Sequence, residues 1–413
     1  MPDCLKHRAL FIKPGIQPSD IVVTFLPDHL KNIVEDRMSR IGIMMRSADE
    51  VGGISVYARN IVRELLEIDT ENQYVLFYKT DKHLGLYQHY DNCREILLKG
   101  GNKAVWDQFI IPRAVKKEKI DLVFNPKFTV PLFTSAKTVM AVHGADWFIP
   151  PYDQVYTAID NFYIKRVMPL YFKKADFITS VSDYSTDGFV NAFPWCKDKI
   201  QTIYFGPNKI FKPVTDPEKL KKIRKKYDLP ERFLLTVIRY DHGARNTRKN
   251  FKGMAEGYAK YRQLGGEEKF VVVGRDCHLY AEEYDLKAMG VSDHIVFTGL
   301  VDQEDLPAFY SLAQLYLYPT IIEAFPIPTT EAMACGCPIV TSDGTGLKEL
   351  TENVSITVDP TDTDAIAAAI VKVQSDEKLK ESMIQKGFER SKIFSWRKCA
   401  EETLKIFNRL IIS

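Results

Sequence analysis

Short apolar runs alternate with amphipathic helical patterns along most of this sequence. RIGIMM (40–45) is followed by a Gly-rich turn and by ISVYARNIVRELLEI (54–68), whose apolar positions recur at helical spacing. Strands separated by helices run parallel and are covered on both faces, so this alternation predicts a doubly wound α/β sheet. The other strand-like runs before residue 204 are YVLFY (74–78), DLVFN (121–125), TVMAVH (138–143) and DFITSVS (176–182).

The pattern pauses once and then restarts. The segment YFGPNKIFKPVTDPEK (204–219) is rich in Gly and Pro and has no periodicity, which is typical of a linker. Five further buried strands are predicted after it: FLLTVIR (233–239), KFVVVG (269–274), HIVFTG (294–299), LYLYP (315–319) and PIVTS (338–342). Two Rossmann-like domains, 1–208 and 209–394, are therefore expected to face a central cleft at the carboxyl ends of their strands. Residues 1–39 are an extension of unknown role with one strand-like run, DIVVTFL (20–26).

Composition excludes several classes of protein. With 413 residues, 45% of them apolar and 27% charged, the chain has the usual mix of a soluble globular protein of two or three domains. A net charge of +2 does not indicate a nucleic-acid binder. The seven scattered cysteines lack metal spacing, which favours a reducing, cytoplasmic compartment. Cys335-Gly-Cys337 is interpreted as small buried packing.

The sequence also bears on membranes. No apolar run approaches the roughly 20 residues of a spanning helix, and the amino terminus lacks the layout of a secretory signal. Two basic runs, AVKKEKID (114–121) and KKIRKK (221–226), have two interpretations. They are either solvated helix faces or a peripheral contact with an anionic membrane surface.

Two acids stand out in EAFPIPTTEAMACGCP (323–338), where nearly every other residue is apolar or small. Glu323 is expected in the loop after a strand, because Pro326 and Pro328 forbid a continuous helix. Thr329 or Thr330 would cap a helix that holds Glu331 in its first turn, where it would interact favourably with the helix dipole. Carboxylates accept hydrogen bonds from vicinal hydroxyls of sugars and riboses, and free N–H groups at a helix start bind phosphate.

Three further stretches follow predicted strands. RYDHGARNTRKN (239–250) brings Arg239, Arg248 and Lys249 to the cleft, either to bind a diphosphate or as a solvated basic loop. Gly52-Gly53 lets the backbone approach a ligand at a helix start, although no GxGxxG is present and a dehydrogenase is disfavoured. His143 ends the strand TVMAVH. A lone histidine is usually structural, but the expected position at a strand end facing the cleft favours a functional role.

Together these stretches resemble glycosyltransferase family 4, the retaining, nucleotide-sugar-dependent enzymes with the GT-B fold, from about residue 40 to the end. The most specific match is the glutamate pair, Glu323 and Glu331, continuing as EAMACGCPIVTSD. Other matching stretches, in the same order as in the family, are GGIS (52–55), WDQFIIPRAV (106–115), VHGADW (142–147), DFITSVSDYS (176–185), GPNKIFKP (206–213), TRKNF (247–251), VFTGLVDQEDLPAFYSLAQLYLYPT (296–320) and FSW (394–396).

The resemblance implies a role for each candidate. Glu323 would bind hydroxyls of the donor sugar and Glu331 those of the ribose, while Lys249, with Arg248 or Arg239, would neutralise the diphosphate. Gly52 and Gly53 would approach the diphosphate from the first domain, and His143 would lie near the reacting bond. The final helix, about 395–413, would cross back onto the first domain.

Three departures from the family pattern are visible. The family commonly has Gly-Phe-Gly after the first acid, and this chain has Ala324-Phe325-Pro326. Backbone contacts to the donor must then come from Ala324, Phe325 or Ile327, because proline has no N–H. Gly144 stands where the family often has aspartate after the histidine, and whether Asp146 replaces it is open. The insertion DHGARN separates Arg239 from the RKN stretch and leaves open which arginine binds the diphosphate.

The expected reaction is the transfer of a hexose, with a preference for mannose from GDP-mannose, to a hydroxyl of a glycan or lipid-linked glycan. No metal and no other cofactor is expected, because Asp362-Thr363-Asp364 is interpreted as the cap of an alanine-rich helix. Lys249 and an arginine would instead stabilise the leaving group. Two alternatives stay open: an epimerase or hydrolase of nucleotide sugars with the same fold, and a non-catalytic nucleotide-sugar-binding protein.

Overall fold

The computed structural model describes residues 38–50 and 52–412, and the chain from Arg40 onward forms one compact unit. The strand-like run at 20–26, and with it nearly all of the extension, lies outside the described residues. Within the compact unit the chain builds two parallel sheets, one after the other.

The first sheet has seven strands within the described residues, in the order β3-β2-β1-β4-β5-β6-β7. Its first strand in the described chain, β1, pairs in parallel with β2 on one side and β4 on the other, and its apolar residues are buried because helices cover both faces. This is a doubly wound strand order. The strands are β1 (Arg40–Met44), β2 (Gln73–Tyr78), β3 (Cys93–Leu97), β4 (Leu122–Asn125), β5 (Lys137–Val142), β6 (Phe177–Ser180) and β7 (Ile200–Thr202).

The second sheet repeats the plan with six parallel strands in the described part of the chain, in the order β10-β9-β8-β11-β12-β13. Its central pair is β8 and β11, so the carboxyl ends of these two strands mark the switch point where ligands bind in such sheets. The strands are β8 (Phe233–Val237), β9 (Lys269–Val273), β10 (Ile295–Gly299), β11 (Leu315–Tyr318), β12 (Ile339–Ser342) and β13 (Ser355–Val358).

All ten predicted strands after residue 39 are present, and three further strands escaped prediction. These are β3, β7 and β13, and each lies at the edge of its sheet. An edge strand is covered less completely than a central one, and the residues of these three strands are mostly half-buried or exposed. Their sequences therefore lack the continuous apolar run by which the central strands were recognised.

Helices flank both sheets, and no helix or strand interrupts the described residues 204–216, which lie within the predicted linker. The last helix, α12, returns to the first domain and packs against α1, β4 and β5. In the described part of the chain the α-helices of six or more residues are α1 (Gly53–Ile68), α2 (Ile111–Glu118), α3 (Ala158–Lys174), α4 (Asp183–Ala192), α5 (Pro217–Lys226), α6 (Phe251–Gln263), α7 (Leu306–Leu312), α8 (Ile327–Cys335), α9 (Thr345–Leu350), α10 (Thr363–Ser375), α11 (Glu377–Ser391) and α12 (Trp396–Ile412).

Aromatic side chains join the two halves of the compact unit. Phe205, in the linker, stacks on Trp396 of α12 with ring centroids 4.7 Å apart and lies 4.3 Å from Phe325 of the second domain. Tyr57 of α1 packs edge-on against Phe205 at 5.3 Å. Large aromatic rings contribute much buried area, so this cluster holds the loop around Phe325 against the first domain.

Two features outside the cleft, a helix cap and a pair of cysteines, agree with the interpretation of their sequence. Asp362 caps α10, accepting hydrogen bonds from the N–H groups of Asp364 and Ala365, which confirms that Asp362-Thr363-Asp364 is a helix cap. Cys335 and Cys337 are both buried free thiols, as small packing residues would be. In the described ranges, no helix is long and apolar enough to span a membrane.

Candidate active site

The connections after β1, β5, β8 and β11 face one another between the two domains. They carry every predicted site residue, or lead directly into the helix that carries it. Parallel strands place their carboxyl ends along one edge of a sheet, and here two such edges oppose each other. Hydrogen bonds and close approaches across this gap define the site's geometry.

Lys249 lies at the centre of the second domain's side. It ends a 3-10 helix, Gly243–Lys249, and Asn250 then reverses the chain with a positive φ of 54°. The Asn250 side chain donates to the carbonyls of Pro319 (2.7 Å) and Pro360 (2.6 Å), which fixes the turn against the end of β11. Lys249 thereby forms an ion pair with Glu323 and lies 3.2 Å from the Tyr318 hydroxyl.

Glu323 is held as a charged carboxylate. Burial alone would raise its pKa, but the charges of Lys249 and Arg248 and the hydrogen bonds from Lys249 and Tyr318 hold the pKa below its ordinary value. Tyr318 reaches the same carboxylate oxygen, Oε1, at 3.2 Å. Glu323 is therefore available near neutral pH only as a hydrogen-bond acceptor.

Arg248 connects the two domains. Its Nη1 donates to the hydroxyl of Tyr156 (3.1 Å) and lies 3.6 Å from Asp146 Oδ2, both on the connection after β5. Tyr156 in turn donates to Asp146 Oδ2 at 3.0 Å. Arg248 Nε and Asp146 Oδ1 are buried and have no hydrogen-bond partner within the described residues. Arg248 and Lys249 are thus largely buried in ionic contacts, which excludes the solvated-loop interpretation for these two residues.

Asp146 occupies space that a larger residue at position 144 would need. A β-carbon at Gly144, whose φ is 154°, would stand 3.2 Å from Asp146 Oδ1 and 3.5 Å from the Ala324 β-carbon. The carboxylate therefore reaches the position next to His143 where the family often has aspartate. Burial raises the pKa of Asp146, although the Arg248 charge and the Tyr156 hydroxyl oppose the shift.

Gly52 and Arg239 meet across the gap. Gly52 adopts a φ of 105° before α1, and a β-carbon there would stand 2.2 Å from Arg239 Nη1. The positive φ favours glycine at this position, and a β-carbon would also force the Arg239 guanidinium to move. A β-carbon at Gly53 would meet no atom within 4 Å. Arg239 itself is held by Asp241, which accepts from Arg239 Nε at 2.8 Å.

His143 lies at the end of β5, partly buried between aromatic rings. Its Nε2 lies 2.7 Å from the carbonyl of Pro126, and its ring packs edge-on against Tyr57 at 4.8 Å. Burial lowers the pKa of His143 to about 4, although the hydrogen bond to Pro126 acts in the opposite direction. A carbonyl only accepts, so in this neutral imidazole Nε2 carries the proton and Nδ1 is the free acceptor.

Glu331 does not lie in the first turn of its helix, where it was predicted. The helix α8 begins at Ile327, not at Thr329 or Thr330, so Glu331 lies in its second turn and the predicted threonine cap is wrong. Pro326 takes the cap position and Pro328 the second helical position, where a missing N–H costs nothing. Burial raises the pKa of Glu331 to about 8, opposed by the Tyr310 hydroxyl, which donates to Oε2 at 3.0 Å.

The loop between the acids is fixed by its surroundings. Gly346 donates its N–H to the Glu323 carbonyl at 2.9 Å, and a β-carbon at Gly346 would stand only 1.9 Å from the Ala324 carbonyl oxygen. The Phe325 ring packs against Phe205 in the aromatic cluster that joins the two domains. Among the residues described, the N–H groups of Ala324, Phe325 and Ile327 have no hydrogen-bond acceptor.

Most of the predicted residues fall into three groups. Lys249, Glu323 and Arg248 form one ionic cluster; Gly52 approaches Arg239; and His143 adjoins Gly144, which approaches Ala324. Glu331 is not part of the ionic cluster and accepts a hydrogen bond from Tyr310.

Three tyrosines that were not predicted as site residues donate hydrogen bonds to the acids of the site: Tyr156, Tyr310 and Tyr318. Tyr318 alone carried a signal, because it is a polar aromatic residue at the carboxyl end of a predicted strand.

Comparison with protein families assigns a model to each half of the chain. Residues 51–208 match the model described as Glycosyltransferase Family 4, and residues 218–390 match that described as Glycosyl transferases group 1. The two matches leave only a short stretch of the linker between them and contain all the predicted site residues.

Curated relatives are similar over part of their length. O-antigen chain mannosyltransferase B of Escherichia coli is 28% identical over 60% of this chain and 64% of its own. The GDP-mannose-dependent alpha-(1-6)-phosphatidylinositol monomannoside mannosyltransferase of Mycolicibacterium smegmatis is 26% identical over 49% of this chain and 54% of its own. The chain thus spans less than two thirds of the length of either relative.

A solved structure shows the same fold over nearly the whole chain. The Anabaena protein Alr3699/HepE in complex with UDP-glucose superposes with a TM-score of 0.72, at 17% identity, over 90% of this chain and 99% of its own. Together with the two parallel sheets, this confirms the predicted α/β fold class, GT-B with two Rossmann-like domains.

Proposed function

Because the chain belongs to the family 4 glycosyltransferases, we propose that it transfers a hexose from a nucleotide-sugar donor to a hydroxyl of a glycan or lipid-linked glycan. The observation that carries this proposal is the ionic cluster of Lys249, Arg248 and Glu323 on the second domain's side of the gap. From the first domain, Gly52 at the start of α1 approaches Arg239 on that same side. The cations can bind a diphosphate, the charged carboxylate can accept hydrogen bonds from a sugar, and the glycine lets the backbone approach the phosphates closely.

The cations have a chemical task in such a reaction. Breaking the bond between sugar and diphosphate leaves negative charge on the phosphate oxygens, and preorganised positive groups stabilise that charge. Lys249 is already positioned by Glu323 and Tyr318, and Arg239 lies where the α1 helix start approaches. We assign the diphosphate to Lys249 and Arg239, with Arg248 linking this site to the first domain. On this assignment the transfer needs no metal ion.

The donor's two ends would meet the two glutamates. Glu323, held charged, would accept from sugar hydroxyls, and Glu331 from the ribose hydroxyls, with the N–H groups of Ala324, Phe325 and Ile327 between them. The preference for mannose from GDP-mannose rests on the relatives, one of which is named as GDP-mannose-dependent.

The acceptor would enter beside the connection after β5. Asp146 Oδ1 and His143 Nδ1 are hydrogen-bond acceptors there, and Asp146 Oδ1 is a buried oxygen without a partner in the described chain. We propose that these two groups bind hydroxyls of the substrates at the reacting bond. Retention of configuration, with the acceptor hydroxyl attacking from the face that the diphosphate leaves, follows the resemblance to the family.

The test begins with thermal unfolding against a panel of nucleotide sugars. A donor at about 100 times its dissociation constant stabilises by ~2.7 kcal/mol, so the true donor is expected to raise the midpoint clearly above its competitors. The selected donor is then incubated with and without a glycan acceptor, and the products are separated and their anomeric configuration read by NMR. Transfer that persists unchanged with excess chelator supports metal independence.

The outcomes separate the alternatives. A new α-linked glycan formed only with acceptor supports the proposal. Free or rearranged sugar formed equally well without acceptor points to the epimerase or hydrolase. Stabilisation by a donor with no turnover, even after long incubation with a range of glycans, points to a nucleotide-sugar-binding protein.

A further inference from the structure

The outer face of α3 is apolar where a surface helix is normally polar. Ile159 is 81% exposed, Phe162 66%, and Tyr163 and Leu170 are about half exposed. Their spacing of three, four and seven residues places them along one side of the helix. Large apolar residues scattered singly over a surface need no explanation, whereas a continuous stripe marks an interaction site.

Neighbouring elements extend this stripe. The loop carrying Phe133, which is 73% exposed, is held by Gln108, whose side chain bonds to Val130 (3.0 Å) and Leu132 (2.9 Å). Lys174, in the last turn of α3, donates to the Thr134 carbonyl at 3.0 Å and so places the same loop beside the helix. We call the combined surface the α3 face; its apolar members are Phe133, Ile159, Phe162, Tyr163, Leu170 and Trp195.

Basic side chains are interleaved with these apolar ones. The helix α3 carries Arg166, Lys173 and Lys174, as well as Lys165, which pairs with Asp153 at 3.0 Å, and its one acid is Asp160. The Arg166 guanidinium lies 5.4 Å from the Phe162 ring centroid. The ammonium groups of Lys173 and Lys199 lie 5.9 Å and 5.7 Å from the centroid of Trp195. Positive charge thus accompanies the exposed rings over the length of the helix, about 25 Å.

The two basic runs noted in the sequence lack this combination. KKIRKK forms most of α5, where the apolar residue, Ile223, is buried and Lys226 pairs with Asp302 and Asp305. In α2, Lys116 and Lys117 are exposed while Ala114 and Val115 are buried. Both helices present charge to solvent without exposed apolar side chains, which is typical of a solvated face.

The α3 face begins at the cleft. Tyr156, two residues before α3, binds Arg248 and Asp146 at the candidate active site. Asn161, in the first turn of the helix, holds the intervening residues by donating to the carbonyl of Asp153 at 2.8 Å. A molecule seated on the α3 face would therefore reach the acceptor side of the cleft without crossing the rest of the surface.

We propose that the α3 face docks on an anionic phospholipid surface. Exposed aromatic and aliphatic groups would enter the headgroup boundary, and the interleaved Lys and Arg side chains would pair with lipid phosphates, as in helices that lie in a membrane interface. Trp and Tyr favour this boundary because one end of each ring system is apolar and the other polar. This deepens the proposed function, because docking would present a lipid-linked acceptor to Asp146 and His143.

The test is flotation with lipid vesicles, performed without donor or acceptor so that its result is independent of the transferase proposal. Vesicles of phosphatidylethanolamine with phosphatidylglycerol are compared with vesicles of phosphatidylcholine alone. Only the anionic vesicles are expected to carry the protein. Arg166→Glu with Lys173→Glu is expected to lower the partition coefficient roughly tenfold or more, because each basic group near an anionic surface contributes about 1 kcal/mol.

A second pair of variants isolates the apolar contribution. Ile159→Gln with Phe162→Gln keeps helix propensity and is expected to abolish flotation even at low salt. The matched control is Lys221→Glu with Lys222→Glu on α5, which makes the same charge change on exposed residues and is expected to bind as the wild type does. All four positions in α3 are exposed, so unfolding midpoints should not change.

Three results would overturn the proposal. The first is a wild type that does not float with the anionic vesicles. The second is an equal loss of binding in the α5 control, which would indicate net charge rather than this face. The third is a wild-type dimer in sedimentation equilibrium that Ile159→Gln with Phe162→Gln converts to monomer, which would make the face a contact between two copies.

Discussion

Glu323 and Glu331 belong to one short segment, yet the structure surrounds them in opposite ways. Glu323, in the loop before α8, has an ion pair with Lys249 and a hydrogen bond from Tyr318, and its pKa is held low. Glu331, in the second turn of α8, has only the Tyr310 hydroxyl among the described residues, and burial raises its pKa to about 8.

The difference shows that the spacing of the two acids does not decide their charge. A buried carboxylate ionises at neutral pH only when a cation or several donors compensate its lost hydration. Glu323 has that compensation before any ligand arrives, whereas Glu331 is mostly protonated near neutral pH. Glu323 is thus preorganised as an acceptor, and Glu331 needs its ligand's hydroxyl donors to stabilise the charged form.

The largest expected effect comes from breaking the ion pair. Lys249→Ala should lower kcat by ~10²–10³, the cost of removing one preorganised charge stabiliser. It also leaves Glu323 buried without its cation, a loss of about 3–5 kcal/mol in folding stability for a fully buried pair and less for this one. Steady-state kinetics at a temperature well below the variant's unfolding midpoint separates the two losses.

Lys252→Ala is the matched control, since Lys252 lies three residues further on, is 61% exposed and pairs only with Glu256 at 3.7 Å among its described contacts. It should leave kcat and stability nearly unchanged. A Lys249→Ala enzyme that turns over as fast as this control would remove Lys249 from the diphosphate site.

A pH-dependent effect on stability should come from replacing the second acid, Glu331, with a neutral amide. Between the ordinary pKa of 4.5 and the raised value of about 8, folded Glu331 keeps a proton that the unfolded chain has lost. The folded state then binds more protons, so this group lowers the free energy of unfolding by about 1.4 kcal/mol for each unit of rising pH in that window. Glu331→Gln removes this contribution. The free energy of unfolding of the variant, relative to that of the wild type, should therefore increase as the pH rises.

Urea unfolding of both proteins across that window measures the difference. Asp146 and Glu349 also have raised pKa values, but they are present in both proteins and cancel in the comparison. Glu323→Gln serves as the contrasting variant: its carboxylate has a lowered pKa, so the substitution should destabilise at neutral pH. Parallel pH curves for wild type and Glu331→Gln would contradict the raised pKa.

The positions of Lys249 and Glu323 in the site follow from local sequence patterns, whereas the contacts between the two domains do not. Lys249 and Glu323 were recognisable because each follows a predicted strand, and such positions gather at one edge of a parallel sheet. The contact of Arg248 with Tyr156 and Asp146 was not recognisable from the sequence, because it depends on how the two domains face each other. Aromatic contacts around Phe205 hold the two domains together, and the residues that make them are distant in sequence.

Local patterns also failed where two rules competed. Pro326 and Pro328 were interpreted as helix breakers, but proline costs nothing in a first helical turn, so α8 starts earlier and Glu331 moves to its second turn. The glutamate pair was found from sequence, while its charge states required knowledge of Tyr310, Tyr318 and Lys249 around it.

The smallest expected effects come from removing one hydroxyl beside each acid. Tyr310→Phe takes from Glu331 its one hydrogen-bond donor among the described residues and should cost about 1 kcal/mol. Tyr318→Phe leaves Glu323 paired with Lys249 and should cost about half of that.

Since hydrogen bonds to charged acceptors are roughly twice as strong, the cost of Tyr310→Phe should increase above pH 8, where Glu331 ionises. Urea unfolding of both variants at pH 6 and pH 9 tests this. Equal and pH-independent losses would mean that the two acids are in the same charge state, and the contrast between them would be lost.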